Sequence, residues 1–185
     1  MVEHEGSPRE YIETRAELAS PNTDWDTCWN RARLKGLGSE ATSFLWKLLH
    51  CLLPSEQRLA KILPNSSDLC KWCPNPIPAD LSHYLFQCSS TREVGEWLLN
   101  IVRHYDPYIT AAKLIRLDFV TEETTEMPLV WITAQSLLYM WGVRAGGNRV
   151  SLTLTRAILE NKISLLRETR YKNEATIIQE ILEKV

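Results

Sequence analysis

The sequence predicts a mostly α-helical protein, a compact multi-helix domain with one small zinc-bound, knuckle-like turn. Three observations carry this. Apolar residues recur at helical spacing in one segment after another. Capping residues, prolines and glycine pairs punctuate those segments. No stretch alternates with the period of a strand. The chain has 185 residues, 44% hydrophobic and 24% charged, a globular balance rather than a disordered one. Three regions are expected: an acidic N-terminal helix and linker over 1–23, a helical zinc-binding region over 24–105, and a C-terminal helical region over 106–185 with a basic last helix.

Taken in order, Ser7, Pro8 and Glu10 read as the start of a helix running to about residue 19, with Pro21 beyond it. Asp24 or Asp26 can cap a helix carrying Trp25, Cys28, Trp29 and Leu34, ended by Gly36 and Gly38. Ser39 starts a stronger helix whose stripe is Phe44, Leu45, Leu48, Leu49 and Leu52, stopped by Pro54. Ser55 opens a short helix with Leu59, Ile62 and Leu63, stopped by Pro64. Ser90 is expected to cap a helix with Val94, Trp97, Leu98, Ile101 and Val102 on one face. Thr110 caps a short helix to Leu117, and the acidic stretch 118–126 reads as a loop. Pro128 then opens a helix to about Val143 that is apolar nearly all round. It is too short and too polar for a membrane span and reads as a buried central helix. Gly146 and Gly147 turn the chain into a last long helix from near Val150, with Val150, Leu154, Ala157, Ile158 and Leu165 on one face. A break near Asn173 precedes a final amphipathic segment with Ile177, Ile178, Ile181 and Leu182.

The strongest motif is Cys70-x2-Cys73-x9-His83-x4-Cys88. Zinc favours thiolate sulfur and imidazole nitrogen, and a structural site closes with four such donors. Two cysteines two residues apart can hold one ion from a tight turn. The spacer between the pairs carries prolines at 74, 76 and 78, so it is a stiff extended connector. Asp80 can cap a short helix over 81–87 that contains His83. Five residues rotate an α-helix by about 500°, so His83 and Cys88 would diverge if it continued. The helix is therefore expected to end by Cys88, which bends back to the metal. A redox role for the Cys-x2-Cys pair calls for a βαβ setting that the sequence lacks. Four unrelated core residues are the plainer alternative. Cys28 and Cys51 remain outside the motif, and no apolar run follows a basic start, so a reducing intracellular setting, nuclear or cytoplasmic, is expected.

The net charge of −2 argues against a protein that coats nucleic acid by charge alone. The distribution is uneven. Residues 1–26 hold seven acids against Arg9 and Arg15, while 31–61 and 144–172 are locally basic. These basic segments are either a binding face or ordinary solvated helix faces. Arg149, Arg156 and Arg167 line up along the last long helix. On the metal-held turn, Trp72 either packs under the turn or stacks on an unpaired base, with Lys71 meeting a phosphate. Catalytic motifs are missing: no adjacent aspartate pair, no glycine-rich phosphate loop, no G-x-S-x-G and no H-E-x-x-H occurs, and His4, His50 and His104 stand alone. No enzymatic activity is expected.

The order of Trp25 and Trp29, SFLWKLLHCLLPSEQRLAK over 43–61, CKWC, HYLFQC and Trp97 resembles the zinc-binding domain that follows the reverse transcriptase in LINE-type (non-LTR) retrotransposons. The match covers about 25–98 in order and spacing, and LENKISLLRETR over 159–170 is similar to the tails of such elements more loosely. The His-x4-Cys half also resembles a retroviral zinc knuckle, but its nine-residue spacer is longer than a knuckle's. The resemblance implies a non-catalytic accessory domain that grips template RNA or target DNA while a separate polymerase acts. The alternative is a zinc-stapled protein-interaction module or a transposon-derived fragment.

Overall fold

A computed structural model describes residues 22–185. The expected helix over 8–19 and nearly all of the acidic N-terminal region lie outside the described residues. The rest is mostly helical: α1 (Trp25–Arg31), α2 (Ser39–Leu49), α3 (Glu56–Ile62), a π-helical turn (His83–Gln87), α4 (Arg92–Arg103), α5 (Ala111–Arg116), α6 (Glu123–Ala145), α7 (Leu152–Arg167) and α8 (Lys172–Glu183). Among the described residues the only strand-like pairing is an isolated antiparallel bridge between Leu69 and Pro78.

Local capping chemistry starts several of these helices where the sequence placed it. Asp24 accepts from the Thr27 amide at 3.2 Å and caps α1. Ser55 accepts from the Arg58 amide at 3.3 Å to begin α3, and Thr110 accepts from the Lys113 amide at 3.3 Å to begin α5. Each side chain satisfies an amide that has no partner within its own first turn.

Helix α6 is the axis of the fold. It packs against α2, α4, α7, α8 and the π turn. Every residue from Pro128 to Leu137 is buried, as its all-round apolar sequence requires. No helix among the described residues is long and apolar enough to cross a membrane. The polar Gln135 is tolerated inside because its amide donates to the Leu37 carbonyl at 2.9 Å and its oxygen accepts from Lys162 at 2.6 Å. One hydrophobic core runs from Trp25 to Leu182, across the sequence boundary at 105/106.

Several elements depart from expectation. Helix α6 begins at Glu123, so part of the acidic 118–126 stretch is helical. Glu123 and Glu126 favour a helix N-terminus, and Pro128 removes just one amide, the one facing Thr124. Helix α4 starts after Thr91 rather than Ser90, because the Cys88 carbonyl accepts from both the Thr91 and Arg92 amides. On α7 the buried stripe is Thr155, Leu159, Ile163 and Leu166, while Leu154 and Leu165 are 52% and 70% exposed. The face is turned by about one residue, or 100°. Thr155 can sit inside because its hydroxyl donates to the Ser151 carbonyl at 2.7 Å. Leu52 and the apolar residues Ile62 and Leu63 are also exposed rather than buried.

The basic stretch that begins at Arg31 does not start with a free cation. Arg31 is buried and donates to the carbonyls of Leu117 and Phe119, both at 2.7 Å, and to Glu126 at 3.0 Å. It pins α1 to the chain that leads into α6. Truncation leaves those carbonyls and a partly buried carboxylate without their donor. Arg31→Met is expected to lower the unfolding free energy by about 2–4 kcal/mol. Denaturant titration measures this, and a change below about 1 kcal/mol contradicts the assignment.

Candidate metal centre

Two arms of chain build the site. In the first, the Cys70 amide donates to the Ile77 carbonyl at 2.8 Å and the Ala79 amide donates to Asp68 at 2.9 Å. These bonds flank the Leu69–Pro78 bridge, where a proline needs no donor. The proline-rich spacer thus folds back on the chain before Cys70 and closes the Cys70–Cys73 turn. The Gln57 amide donates to the Ala79 carbonyl at 3.2 Å, tying the spacer to the first turn of α3.

The second arm begins at Asp80, whose carboxylate accepts from the His83 amide at 2.7 Å. The helix does not stay α. The Cys88 amide donates to the His83 carbonyl at 2.8 Å, a five-residue ring that widens the turn, and Cys88 then leaves with extended backbone (φ −66°, ψ 139°). Widening reduces the rotation between His83 and Cys88 and brings both donors to one side. The opposite side of the turn sends Leu85 and Phe86 into the main core. Gly95 of α4 makes this approach possible: a Cβ there would lie 2.9 Å from the Phe86 ring and 3.1 Å from the Leu85 carbonyl.

The donors converge as the motif requires. Cys70 Sγ lies 3.5 Å from Cys88 Sγ, Cys73 Sγ lies 3.5 Å from His83 Nε2, and Cys73 Sγ lies 4.0 Å from Cys88 Sγ. All four donor atoms fall within 4.8 Å of one another, so Cys70, Cys73, His83 and Cys88 could hold one metal ion. Cys70 Sγ also accepts from the Trp72 amide at 3.4 Å. None of the described cysteines is in a disulfide. Cys28 lies in the main core, and burial pushes its thiol up to about 12.

Sequence reasoning missed a buried polar contact of the site. Arg144, near the end of α6, donates to the Tyr84 carbonyl at 2.6 Å, to Glu56 at 3.3 Å and to Cys70 Sγ at 3.3 Å. Its guanidinium lies 3.4 Å from the centre of the Tyr84 ring. The available signal was a lone charge closing a long uncharged apolar run from Pro128 to Val143.

The other candidate residues are placed as follows. Lys71 is exposed and Trp72 half-buried. Both border a groove of about 490 Å³ shared with Tyr84, Trp141 and Gly147. Tyr84 and Trp141 stack with centroids 4.4 Å apart. The inner side of Trp72 packs on Cys70, Ala79 and Cys88, so it serves the turn and borders the groove at once. Arg149 is exposed and follows the groove-lining Gly147 by two residues in the chain. Arg156 is half-buried and donates to the Leu182 carbonyl at 3.3 Å, at the end of α8. Arg167 is exposed at the far end of α7, a helix about 24 Å long. The structure therefore joins Lys71 and Trp72 to the metal site, and it spreads the three arginines from the turn before α7 to that helix's far end. Of the other basic segment, Arg31 is spent on carbonyls and Arg58 donates to the Cys51 carbonyl.

The protonation of the donors sets a direction for metal uptake. Burial pushes the Cys88 thiol up to about 12. Burial also raises Cys73, but hydrogen bonds with the Ser89 backbone and side chain, Cys70 and Cys88 together outweigh it and hold that thiol below its usual range. Burial, with Arg144 nearby, lowers His83, so its imidazole is neutral near pH 7 with a lone pair to give. A metal ion must displace the Cys88 proton, and displacement becomes easier as pH rises. Affinity for a divalent ion is expected to rise at least about tenfold per pH unit from pH 6 to 8. Chelator competition at several pH values checks this, and a flat profile contradicts it.

Comparison with protein-family models, curated proteins and solved structures finds no match.

Proposed function

We propose that the chain is a zinc-stapled, non-catalytic accessory domain that contacts RNA or DNA through the metal-held turn. The observation that carries this is the placement of Lys71 and Trp72 between two cysteine donors and on the rim of an aromatic groove. Zinc suits the donor set. With Zn–S near 2.3 Å and Zn–N near 2.05 Å, tetrahedral donors stand about 3.8 Å apart for two sulfurs and about 3.6 Å for sulfur and nitrogen. Three of the six separations, at 3.5, 3.5 and 4.0 Å, lie near these values, and all six fall within 4.8 Å. Three thiolates and an imidazole occupy all four positions, leaving none for a substrate. The resemblance of residues 25–98 to the zinc-binding region of LINE-type retrotransposons supports the same reading.

In this reading Trp72 offers a ring to an unpaired base and Lys71 a charge to the adjacent phosphate. The exposed Arg149 would add a second cationic contact. Arg156 and Arg167 are secondary contacts at most, given the helix-capping bond of the first and the distance of the second.

Two outcomes test the proposal. Protein purified without added zinc is expected to carry one zinc per chain by elemental analysis, and less than half an equivalent contradicts the staple. In fluorescence anisotropy the zinc-loaded protein is expected to bind single-stranded RNA, structured RNA or duplex DNA with strong salt dependence. Trp72→Ala then weakens binding about 5- to 100-fold, and Lys71→Ala flattens the salt slope by about one phosphate contact. Absence of binding at low salt refutes the nucleic-acid role.

A protein partner is the second reading, and α3 favours it. None of its residues is buried, and Ile62 and Leu63 are 60% and 48% exposed beside the chain that leads to Cys70. Loss of partner capture on Ile62→Asp, with nucleic-acid binding absent, would select this reading.

A further inference from the structure

We infer that Arg144 is a positioning residue of the metal centre, which donates to a ligand sulfur and clamps the centre's two arms to the central helix. The inference rests on the reading that the four donors hold a divalent ion. Three thiolates, a neutral imidazole and a doubly charged cation leave the centre with a net charge of −1. Such a charge in a buried setting needs a partner. Cys70, His83 and Cys88 are all buried. Among the described residues, the one cation with a recorded hydrogen bond to a donor sulfur is Arg144.

The geometry is specific to a guanidinium. The Arg144 side chain is 1% exposed. One terminal nitrogen donates to the Tyr84 carbonyl, inside the widened turn between His83 and Cys88. The other donates to Cys70 Sγ on the opposite arm and to Glu56 on α3. The group also lies over the Tyr84 ring. One planar fork therefore holds both ligand arms in register, which a lysine ammonium cannot do. The contact to Cys70 spans 74 residues, so the centre is fastened to an element far outside the ligand motif. Partners around a metal's ligands commonly change affinity 10- to 100-fold when removed.

The test uses the full chain and competition with a chromophoric zinc chelator. Arg144→Met alone would leave the Glu56 carboxylate without its partner, so the Glu56→Gln/Arg144→Met pair accompanies it. Both variants are expected to lose zinc affinity by about 10- to 100-fold, and Arg144→Lys by an intermediate amount. Ile132→Ala is the control, since Ile132 is fully buried on the same helix about 18 Å along its axis from Arg144 and its truncation weakens packing. It is expected to keep affinity within about threefold, on the premise that distant effects stay small. Cobalt(II) gives a second readout: without the guanidinium hydrogen bond on Cys70 Sγ, the thiolate-to-cobalt charge-transfer band is expected to move to longer wavelength. If the unaltered protein binds no zinc, the metal reading itself falls. If it binds zinc and the Glu56→Gln/Arg144→Met protein binds equally well with an unshifted cobalt band, the assignment of Arg144 is overturned. An equal loss in Ile132→Ala overturns it too, because the effect would then be one of general stability.

Discussion

The hydrogen bond from the Cys88 amide to the His83 carbonyl is the contact on which the rest of the site depends. The segment between them has two obligations. Leu85 and Phe86 must enter the main core, and His83 and Cys88 must meet Cys70 and Cys73 on the other side. An ordinary α turn cannot do both, because it separates residues five apart by about 140° after one full revolution. A single widened turn resolves the conflict, and π turns of this kind concentrate at functional sites. Gly95 is the matching feature on α4, since any larger residue would push the turn off the core.

Two buried arginines do structural work inside this protein. Arg31 and Arg144 are both buried, and both bind backbone carbonyls together with a glutamate. Each ties one end of α6 to a distant part of the chain, Arg31 near its start and Arg144 near its finish. Arg58 and Arg156 likewise donate to carbonyls. These bonds remove several cations from the pool a phosphate backbone could meet. The proposed nucleic-acid contact therefore rests on Lys71 and Trp72 in the metal-held turn and on the exposed Arg149.

What was legible in the sequence was mostly local. Asp24, Ser55, Asp80 and Thr110 cap as read, because a cap involves residues two or three apart. The metal-ligand set was legible because cysteine and histidine at such spacing have few other uses, and its four donors do converge. The end of the helix at Cys88 was legible too, although the widened turn that achieves it was not, since no residue type marks a π turn. The face of α7 was misjudged because Leu154 and Leu165 outrank Thr155 by hydrophobicity, whereas packing against α6 and α8 chose the threonine. Arg144 was seen as one of seven bases in a basic stretch. Its partners lie 60, 74 and 88 residues away, and no local pattern reports a contact of that length.

X-ray absorption at the zinc edge of the purified protein addresses the central claim most directly, because it counts and identifies the atoms around the ion. The account predicts three sulfurs near 2.3 Å and one nitrogen near 2.0–2.1 Å. A shell dominated by oxygen, or one lacking the nitrogen, would contradict a centre built from Cys70, Cys73, His83 and Cys88.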